Sequence, residues 1–262
     1  MNGQQVILKS SCPSPIPLLM TVLVTGGCGL LGEAFVRALA ERGDDVIAVD
    51  VDDDAGTELA SNFEDDRVTY RHCDVTRPEA LDEVLEDARA RHGTVDAVVH
   101  AAYPRTSTWG TPFEALDPDE VAENLRLQLG SAIMVSQRAV AHFREQGGGH
   151  LVHVGSIQGI AAPKFRHYEG TDMTSPLEYT AIKTGLLGVV RYLAKYLSGT
   201  GIRVNCISPG GIEDGQPEAF LERYRADCTS TGMLDPDDVT GALLFLLSDR
   251  SARINGQNLV VD

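Results

Sequence analysis

Short apolar runs alternate with longer amphipathic segments from Thr21 to the end of the chain. The apolar runs have the length and the β-branched content of buried strands, and they lie at 22–25, 45–50, 68–73, 95–100, 150–154, 202–207 and 258–261. The segments between them have helical spacing, clearest at 34–42, 78–91, 117–146, 179–197 and 236–247. Because strands that alternate with helices form a parallel sheet covered on both faces, the pattern predicts an α/β fold, a single doubly wound Rossmann domain.

The first 19 residues do not share this pattern. They are rich in proline, carry one basic residue, Lys9, and stop at Met20, directly before the first strand. Their apolar part is too short and too interrupted for the hydrophobic region of a signal peptide. We therefore expect residues 1–19 to be a flexible leader and residues 20–262 to form the folded domain.

Composition excludes several classes of function. The 262 residues carry a formal net charge of −16, and no apolar run approaches the ~18 residues of a membrane helix. A strongly acidic surface repels phosphate backbones and anionic lipids, so we expect neither nucleic acid nor a membrane as a partner. The five cysteines form no CxxC pair and the seven histidines show no metal-ligand spacing. This predicts a cytoplasmic protein without disulfides and without a bound metal.

The first chemical signal is a glycine-rich loop between the first strand and the first helix. Thr25–Gly32 reads TGGCGLLG. Gly26 allows a tight turn, Gly29 lets a pyrophosphate approach the backbone, and Gly32 lets the helix pack closely on the strand. The helix N-terminus adds free N–H groups and the positive end of a dipole. The context predicts a dinucleotide site, in which the loop also contributes Cys28, Leu30 and Leu31.

Asp50 ends the second predicted strand, 24 positions after Gly26. A carboxylate at that place can accept both ribose hydroxyls of an adenosine. The alternative is a solvated acid at a strand end, since several aspartates surround it. No Arg or Lys occurs between Gly43 and Phe63, so a 2′-phosphate would meet only negative charge. The sequence therefore favours NAD over NADP.

The second signal combines Ser156, Tyr179 and Lys183. The tyrosine and the lysine lie four apart on one helix face, and the serine follows a strand at the edge where doubly wound sheets bind ligands. A nearby ammonium favours phenolate, so Tyr179 can exchange a proton with a hydroxyl while hydride moves at carbon. Ser156 can fix the position of the same oxygen. The alternative for the Tyr/Lys pair alone is an ordinary pair on a helix surface.

These motifs, together with RVNCISPG at 203–210, resemble the short-chain dehydrogenase/reductase superfamily over nearly the whole chain, Thr21 to Asp262. Within it, AAYPRTS, APKFRHYEGTDMTSPLEYTAIK and RVNCISPGGIEDGQPEAFLERY resemble oxidoreductases of flagellin modification and of legionaminic-acid-type sugar biosynthesis. The resemblance implies a seven-stranded parallel sheet, hydride transfer with NAD(P), and a homodimer or homotetramer formed through the long helices.

The resemblance also implies cofactor contacts outside the glycine loop. Lys183 would bind the nicotinamide ribose hydroxyls, Asp74 in CDVT would hold the adenine amine, and the backbone of Ile212 would face the carboxamide. The remaining implied contacts are Val75, Ala101, Ala102, Tyr179, Pro209, Gly210 and Gly211.

Two features depart from the ordinary family pattern. The glycine spacing and His100-Ala101-Ala102 are similar to a longer, sugar-nucleotide-modifying branch, but 262 residues leave no room for that branch's extra domain. Gln128 stands where an active-site asparagine usually holds a water that touches the lysine. Gln128 can do this with a longer arm, while Asn124 lies one turn earlier on the same face. Which of them serves the proton relay stays open.

Two segments are candidates for substrate contacts. The stretch of about residues 157–178 is longer than the resemblance implies and carries Lys164, Arg166 and His167. In so acidic a chain these cations, with Arg105 after the fourth strand, suggest an anionic or polyhydroxylated ligand. The alternatives are a subunit contact or solvated charges. The stretch of about 211–230 would fold over the substrate as well.

We therefore expect an NAD-dependent oxidoreductase that acts on a secondary alcohol or ketone of a sugar or sugar phosphate. One alternative is a sugar epimerase or dehydratase that uses NAD transiently and releases no NADH. The other is a non-catalytic NAD-sensing protein, against which the intact Ser156, Tyr179 and Lys183 argue.

Overall fold

A computed structural model describes residues 19–64, 66–229 and 232–262, and the predicted leader at 1–18 lies outside the described residues. In the described part of the chain, seven parallel strands form one sheet in the order β3-β2-β1-β4-β5-β6-β7. The strands are β1 (Thr21–Thr25), β2 (Asp45–Asp50), β3 (Val68–His72), β4 (Ala97–His100), β5 (Gly149–Val154), β6 (Ile202–Pro209) and β7 (Asn258–Val261). The predicted parallel α/β sheet is confirmed.

Helices cover both faces of this sheet. They are α1 (Leu30–Arg42), α2 (Asp53–Ser61), α3 (Pro78–His92), α4 (Pro118–Leu125), α5 (Ser131–Gln146), α6 (Leu177–Tyr196), α7 (Glu218–Asp227) and α8 (Thr240–Leu246). Glycines with positive φ end two of them: Gly43 (φ 104°) follows α1 and Gly147 (φ 90°) follows α5. A residue without Cβ is favoured at this left-handed position.

The structure differs from the sequence-based elements in three places, and one of them is α7, a helix that was not predicted. α2 was not predicted, because its run of aspartates hides a helical pattern only nine residues long; Asp52 caps it by accepting a hydrogen bond from the Ala55 N–H at 3.0 Å. The predicted helix at 117–146 is interrupted by a π-helical turn, Arg126–Gly130, between α4 and α5. Such a turn changes which side chains face the sheet, and π-turns are frequent at functional sites.

Alternate residues of the central strands point to opposite faces and form two apolar cores. One core joins Leu23, Val98, Leu151 and Val204 to α3, α5 and α6 through Leu81, Val84, Val135, Phe143, Leu187 and Val190. The other joins Val22, Val24, Val99, Val152 and Ile207 to α1 and α8 through Phe35, Leu39, Leu243 and Leu246. Nearly continuous apolar strands are what a sheet buried on both faces requires.

The order of the strands reverses between β1 and β4, which are neighbours in the sheet. Their carboxyl-end loops meet there: a Cβ on Gly26, whose φ is +68°, would lie 2.6 Å from the backbone of Ala102. Only glycine fits this approach. Doubly wound sheets bind ligands in the crevice at such a reversal, and the predicted site residues lie along this edge.

Candidate active site

Ser156, Tyr179 and Lys183 come together at the carboxyl end of β5. Ser156 is buried two residues beyond this strand, and α6 presents Tyr179 and Lys183 one turn apart. Ser156 and the Tyr179 phenol share a hydrogen bond. The Lys183 ammonium donates to the carbonyl oxygen of Val154, with an N–O distance of 2.9 Å. The three predicted side chains therefore form one constellation.

Burial controls the protonation of this constellation. It raises the pKa of the Tyr179 phenol, and the hydrogen bond from Ser156 opposes that rise. This is opposite to the direction expected from the nearby lysine, whose ammonium faces the ring rather than neutralising the phenol oxygen. Burial also lowers the pKa of Lys183 to about 8. Both groups are thus brought towards their uncharged forms.

Two buried histidines lie below Lys183 in the sheet. Burial lowers the pKa of His100 and of His153, so both rings are neutral at pH 7. His100 Nδ1 lies 2.8 Å from Thr25 Oγ1, and His153 Nε2 lies 3.0 Å from Ser136 Oγ. The structure thus places His153 as a packed sheet residue.

The π-helical turn brings Gln128 into the site. Gln128 is buried, and neither its Oε1 nor its Nε2 has a hydrogen-bond partner in the described part of the chain. Together with Lys183 and Tyr103 it lines a cavity of about 20 Å³, enough for a single water molecule. Asn124, in contrast, accepts a hydrogen bond from the Thr106 N–H at 3.1 Å and so holds the loop after β4. Of the two candidates, Gln128 is the one beside the lysine.

The glycine loop has the shape that a dinucleotide requires. A Cβ on Gly32 would lie 1.8 Å from the carbonyl oxygen of Gly26, so this glycine lets α1 pack against the loop. Gly29 is the N-cap of α1 and has no side chain to satisfy the helix N–H groups. A Cβ there would meet only Gly26 O, at 3.4 Å, so the space outside the loop is open on that side. Leu30 and Leu31 begin α1.

Asp50, at the end of β2, is hydrogen-bonded to the glycine loop. Its Oδ2 accepts a hydrogen bond from the Cys28 N–H at 3.1 Å, and its Oδ1 accepts one from the Val51 N–H at 2.8 Å. Burial, followed by the charge of Asp50, raises the pKa of the Cys28 thiol to about 12. The thiol therefore stays protonated, which argues against a redox role. At the end of β3, Asp74 accepts hydrogen bonds from the N–H and the hydroxyl of Thr76.

The remaining predicted cofactor contacts also lie at this edge of the sheet. Val75 follows β3, while Ala101 and Ala102 follow β4 and touch the glycine turn. Pro209 ends β6, and Gly210, Gly211 and Ile212 continue from it. The Gly211 N–H donates to the hydroxyl of Tyr224 on α7 at 2.6 Å. α7 thereby holds the loop after β6.

The basic side chains of the insert at 157–178 are paired within the protein, and their contact with a substrate stays a prediction. Asp227 of α7 pairs with Lys164 (Nζ to Oδ2, 3.4 Å), with Arg166 (Nε to Oδ2, 3.0 Å) and with His167 (Nε2 to Oδ2, 2.6 Å). His167 is buried, and its ring also contacts Tyr224 with a centroid distance of 5.2 Å. One carboxylate, distant in sequence, therefore fastens the insert to α7.

Sequence reasoning missed two aromatic residues beside Tyr179. The rings of Tyr103, Trp109 and Tyr179 pack edge to face, with centroid distances of 5.6 to 6.2 Å. Arg105, singled out from the sequence, lies with its guanidinium carbon 5.2 Å from the Tyr103 centroid. Tyr103 comes three residues after His100 at the end of β4. That position at the binding edge was the available signal.

Neither a metal site nor a membrane span is found in the part of the chain that the structure describes. No group of three or more His, Cys, Asp or Glu is placed to hold an ion. No described helix combines the length and the apolar character needed to cross a bilayer.

Comparison with known proteins agrees with this geometry. A sequence profile of the family described as enoyl-(acyl carrier protein) reductase matches residues 30–262. The post-translational flagellin modification protein A of Campylobacter coli is 38% identical over 246 residues, covering 92% of this chain and 96% of that protein. The short-chain dehydrogenase reductase 3b of Arabidopsis thaliana is 31% identical, covering 92% and 93%. The crystal structure of a Leptospira borgpetersenii short-chain dehydrogenase with bound NAD+ has a TM-score of 0.84 and 29% identity, covering 100% and 98%.

Proposed function

We propose, for a chain that belongs to the short-chain dehydrogenase/reductase family and is an oxidoreductase with a nicotinamide cofactor, a more specific function. The enzyme depends on NAD and acts on a secondary alcohol or ketone of a sugar or sugar phosphate. The observation that carries the proposal is the meeting of Ser156, Tyr179 and Lys183 at the edge of the sheet where the glycine loop lies.

Each side chain of the constellation has a distinct task. The Ser156 hydroxyl holds the substrate oxygen in place through a hydrogen bond. The Tyr179 phenol gives its proton to that oxygen during reduction of a ketone, and takes the proton from a hydroxyl during oxidation. When bound, the cofactor supplies or accepts the hydride. Lys183 places a positive charge next to the tyrosine ring and binds the nicotinamide ribose.

Gln128 is proposed as the second part of the proton path. Its unpartnered amide lies in the cavity that Lys183 also lines. Burying an amide that has no hydrogen-bond partner costs about 1–3 kcal/mol of folding free energy. Such amides occur at functional sites, where a bound water or substrate supplies the missing hydrogen bonds. A single water held by Gln128 would lie next to Lys183, where it can accept a proton from the ammonium and return it.

The preference for NAD rests on charge. Asp50 is held beside the loop by three backbone hydrogen bonds, and no Lys or Arg occurs between Gly43 and Phe63. A carboxylate accepts hydrogen bonds from ribose hydroxyls but repels a 2′-phosphate. The further contacts of the cofactor are proposed at Asp74, Val75, Ala101, Ala102 and at Pro209 to Ile212.

The carbohydrate substrate has two lines of support. The walls of the site combine aromatic rings, Tyr103 and Trp109, with polar groups such as Gln158, whose Oε1 accepts from the Ser175 hydroxyl at 3.0 Å. Such a mixture suits a ring that has apolar C–H faces and hydroxyl edges. A relative of this chain bears the name of a flagellin modification protein. With its cations held by Asp227, the insert is proposed to shape the mouth of the site.

A dimer or tetramer in the cytoplasm is proposed for the assembled enzyme. α6 exposes Tyr192 and Tyr196, which stack with a centroid distance of 5.9 Å, and α5 exposes Ile133. Exposed apolar side chains on long neighbouring helices suit a subunit contact. The four cysteines of the described residues are free thiols, which fits a reducing compartment.

The direct test is a panel of free sugars, sugar phosphates and nucleotide sugars, with steroids and acyl thioesters included as controls, assayed with NAD, NADH, NADP and NADPH. The proposal predicts a net change in NADH absorbance with at least one member. Product formation without a net change would favour an epimerase or dehydratase with transient oxidation. Turnover of steroids or acyl thioesters, with none of any carbohydrate, would overturn the proposed substrate class.

A further inference from the structure

The ring of Tyr103 lies against both members of the Tyr/Lys pair. The Lys183 Nζ is 5.5 Å from the Tyr103 centroid and 5.6 Å from the Tyr179 centroid, and the two rings meet edge to face at 5.8 Å. An ammonium within about 6 Å of a ring centroid is attracted by the negative face of the ring. The lysine is therefore in reach of two rings at once.

The Lys183 ammonium needs this support because few other groups supply it. In the described part of the chain its hydrogen bond goes to Val154 O, whereas an ammonium has three N–H donors. The titratable groups that face it from the sheet are His100 on β4, His153 on β5 and Cys206 on β6. None of them carries a negative charge at pH 7, since burial keeps the histidines neutral and raises the pKa of the Cys206 thiol to about 11.

The contact is not an ion pair with a phenolate. Burial, and after it the neighbouring Tyr179, raises the pKa of the Tyr103 phenol far above its usual value, so the ring is uncharged at every pH at which the protein is used. The Tyr103 hydroxyl is engaged with Trp109 through a hydrogen bond. What Tyr103 offers the lysine is thus the face of its ring.

We propose that Tyr103 is a positioning residue for the reaction, whose aromatic ring, jointly with that of Tyr179, holds the Lys183 ammonium in its charged form beside the proton-transferring phenol. Tyr103 itself exchanges no proton. Tyr103 lies three residues after the end of β4, in the short loop that also contacts the glycine turn. This loop places the ring next to the lysine.

The protonation of Lys183 can be measured without cofactor or substrate. The chain has only four lysines, Lys9, Lys164, Lys183 and Lys195, so the spectrum of protein labelled with ¹³C at lysine Cε is simple, and the signal absent from Lys183→Arg identifies this residue. We expect it to titrate near pH 8 in the wild type. Tyr103→Phe keeps the ring and should leave the midpoint unchanged, while Tyr103→Leu should lower it by about one pH unit.

Two further variants separate the ring's electrostatics from packing. Phenylalanine and 3,4,5-trifluorophenylalanine at position 103 have nearly the same shape, but fluorination weakens the negative face of the ring. The fluorinated variant should therefore titrate Lys183 at a lower pH than the phenylalanine variant. This comparison remains available if Tyr103→Leu does not fold. Trp109→Leu removes an aromatic neighbour that packs edge to face against Tyr103 and Tyr179. It should not move the titration midpoint of Lys183.

Kinetics supplies the functional readout, and this part alone rests on the proposed function. The alkaline limb of kcat for ketone reduction should move with the Lys183 midpoint in each variant, while KM for NADH changes little between the phenylalanine and fluorinated rings. The same lysine midpoint in the leucine and fluorinated variants as in wild type would overturn the role of Tyr103. A midpoint that moves without any alkaline limb in kcat would instead count against the proposed function.

Discussion

The backbone N–H of Cys28 donates a hydrogen bond to the Asp50 carboxylate across 3.1 Å. It joins the glycine loop after β1 to the end of β2, so the side chain that shapes the loop is also the one proposed to face the ribose of the cofactor. Cofactor choice and loop geometry are therefore linked through Asp50.

Two substitutions at Asp50 separate these two effects. Asp50→Asn keeps an acceptor for the Cys28 N–H but removes the charge, so NAD should weaken modestly and NADP should gain affinity. Asp50→Ala removes both, so NAD affinity should fall further, by about 10- to 150-fold for the loss of charged hydrogen bonds worth about 1.5–3 kcal/mol. Fluorescence titration of the two cofactors measures this. Equal affinities of wild-type protein for NAD and NADP would contradict the proposal.

Asp227 offers a test of the insert. If its pairing with Lys164, Arg166 and His167 holds the insert on α7, Asp227→Asn and the double variant Lys164→Ala/Arg166→Ala should raise KM to a similar extent, and combining them should add little. Lys164 and Arg166 are mostly exposed, so their loss should cost little stability. Should the cations bind the substrate instead, Asp227→Asn would leave KM unchanged or lower it while the double variant raises it.

We expect Gln128 to lower the stability of the fold and to raise the catalytic rate. Gln128→Leu replaces an unpartnered buried amide by an apolar group, so it should stabilise the fold by about 1–2 kcal/mol while kcat falls at least about tenfold. Thermal unfolding and steady-state kinetics measure the two effects. The control is Gln128→Asn, which keeps a shorter amide and should retain more activity than leucine does. A fully active leucine variant would remove Gln128 from the proton path.

The spacing of apolar and polar residues was enough to predict the sheet and those site residues that lie close together in the sequence. The glycine loop, Asp50 and the Ser156, Tyr179 and Lys183 set are each read from spacing within one strand–loop–helix unit, and the strand order fixes where they meet. The π-helical turn at Gln128 was not predicted, because a single turn between two helices leaves no sequence pattern of its own.

Tertiary pairing was the part that the sequence could not supply. Nothing local to Asp227 indicates that it meets Lys164 or His167, about sixty residues earlier. The direction of the Tyr179 pKa was also wrongly expected, because spacing gives the neighbour of a phenol but not the depth at which it is buried.

The pH dependence of ketone reduction follows from Lys183. Burial lowers the pKa of its ammonium to about 8, so the charge is present below that pH and is lost as pH rises through it. The pKa of Tyr179 is raised, so the proton donor stays protonated over the same range. The reduction rate should therefore fall with a midpoint near pH 8, measured under saturating NADH. A rate that stays flat up to pH 10 would count against a role for the ammonium.

The most direct test of the account compares Tyr179→Phe with Lys183→Ala. Tyr179→Phe keeps the ring and removes the oxygen, so kcat should fall by about 10²–10⁴-fold while NAD affinity, measured by fluorescence on the same sample, stays at the wild-type value. Lys183→Ala should lower both. A Tyr179→Phe enzyme that binds NAD and turns over its substrate at the wild-type rate would contradict the central claim, that this phenol exchanges the proton.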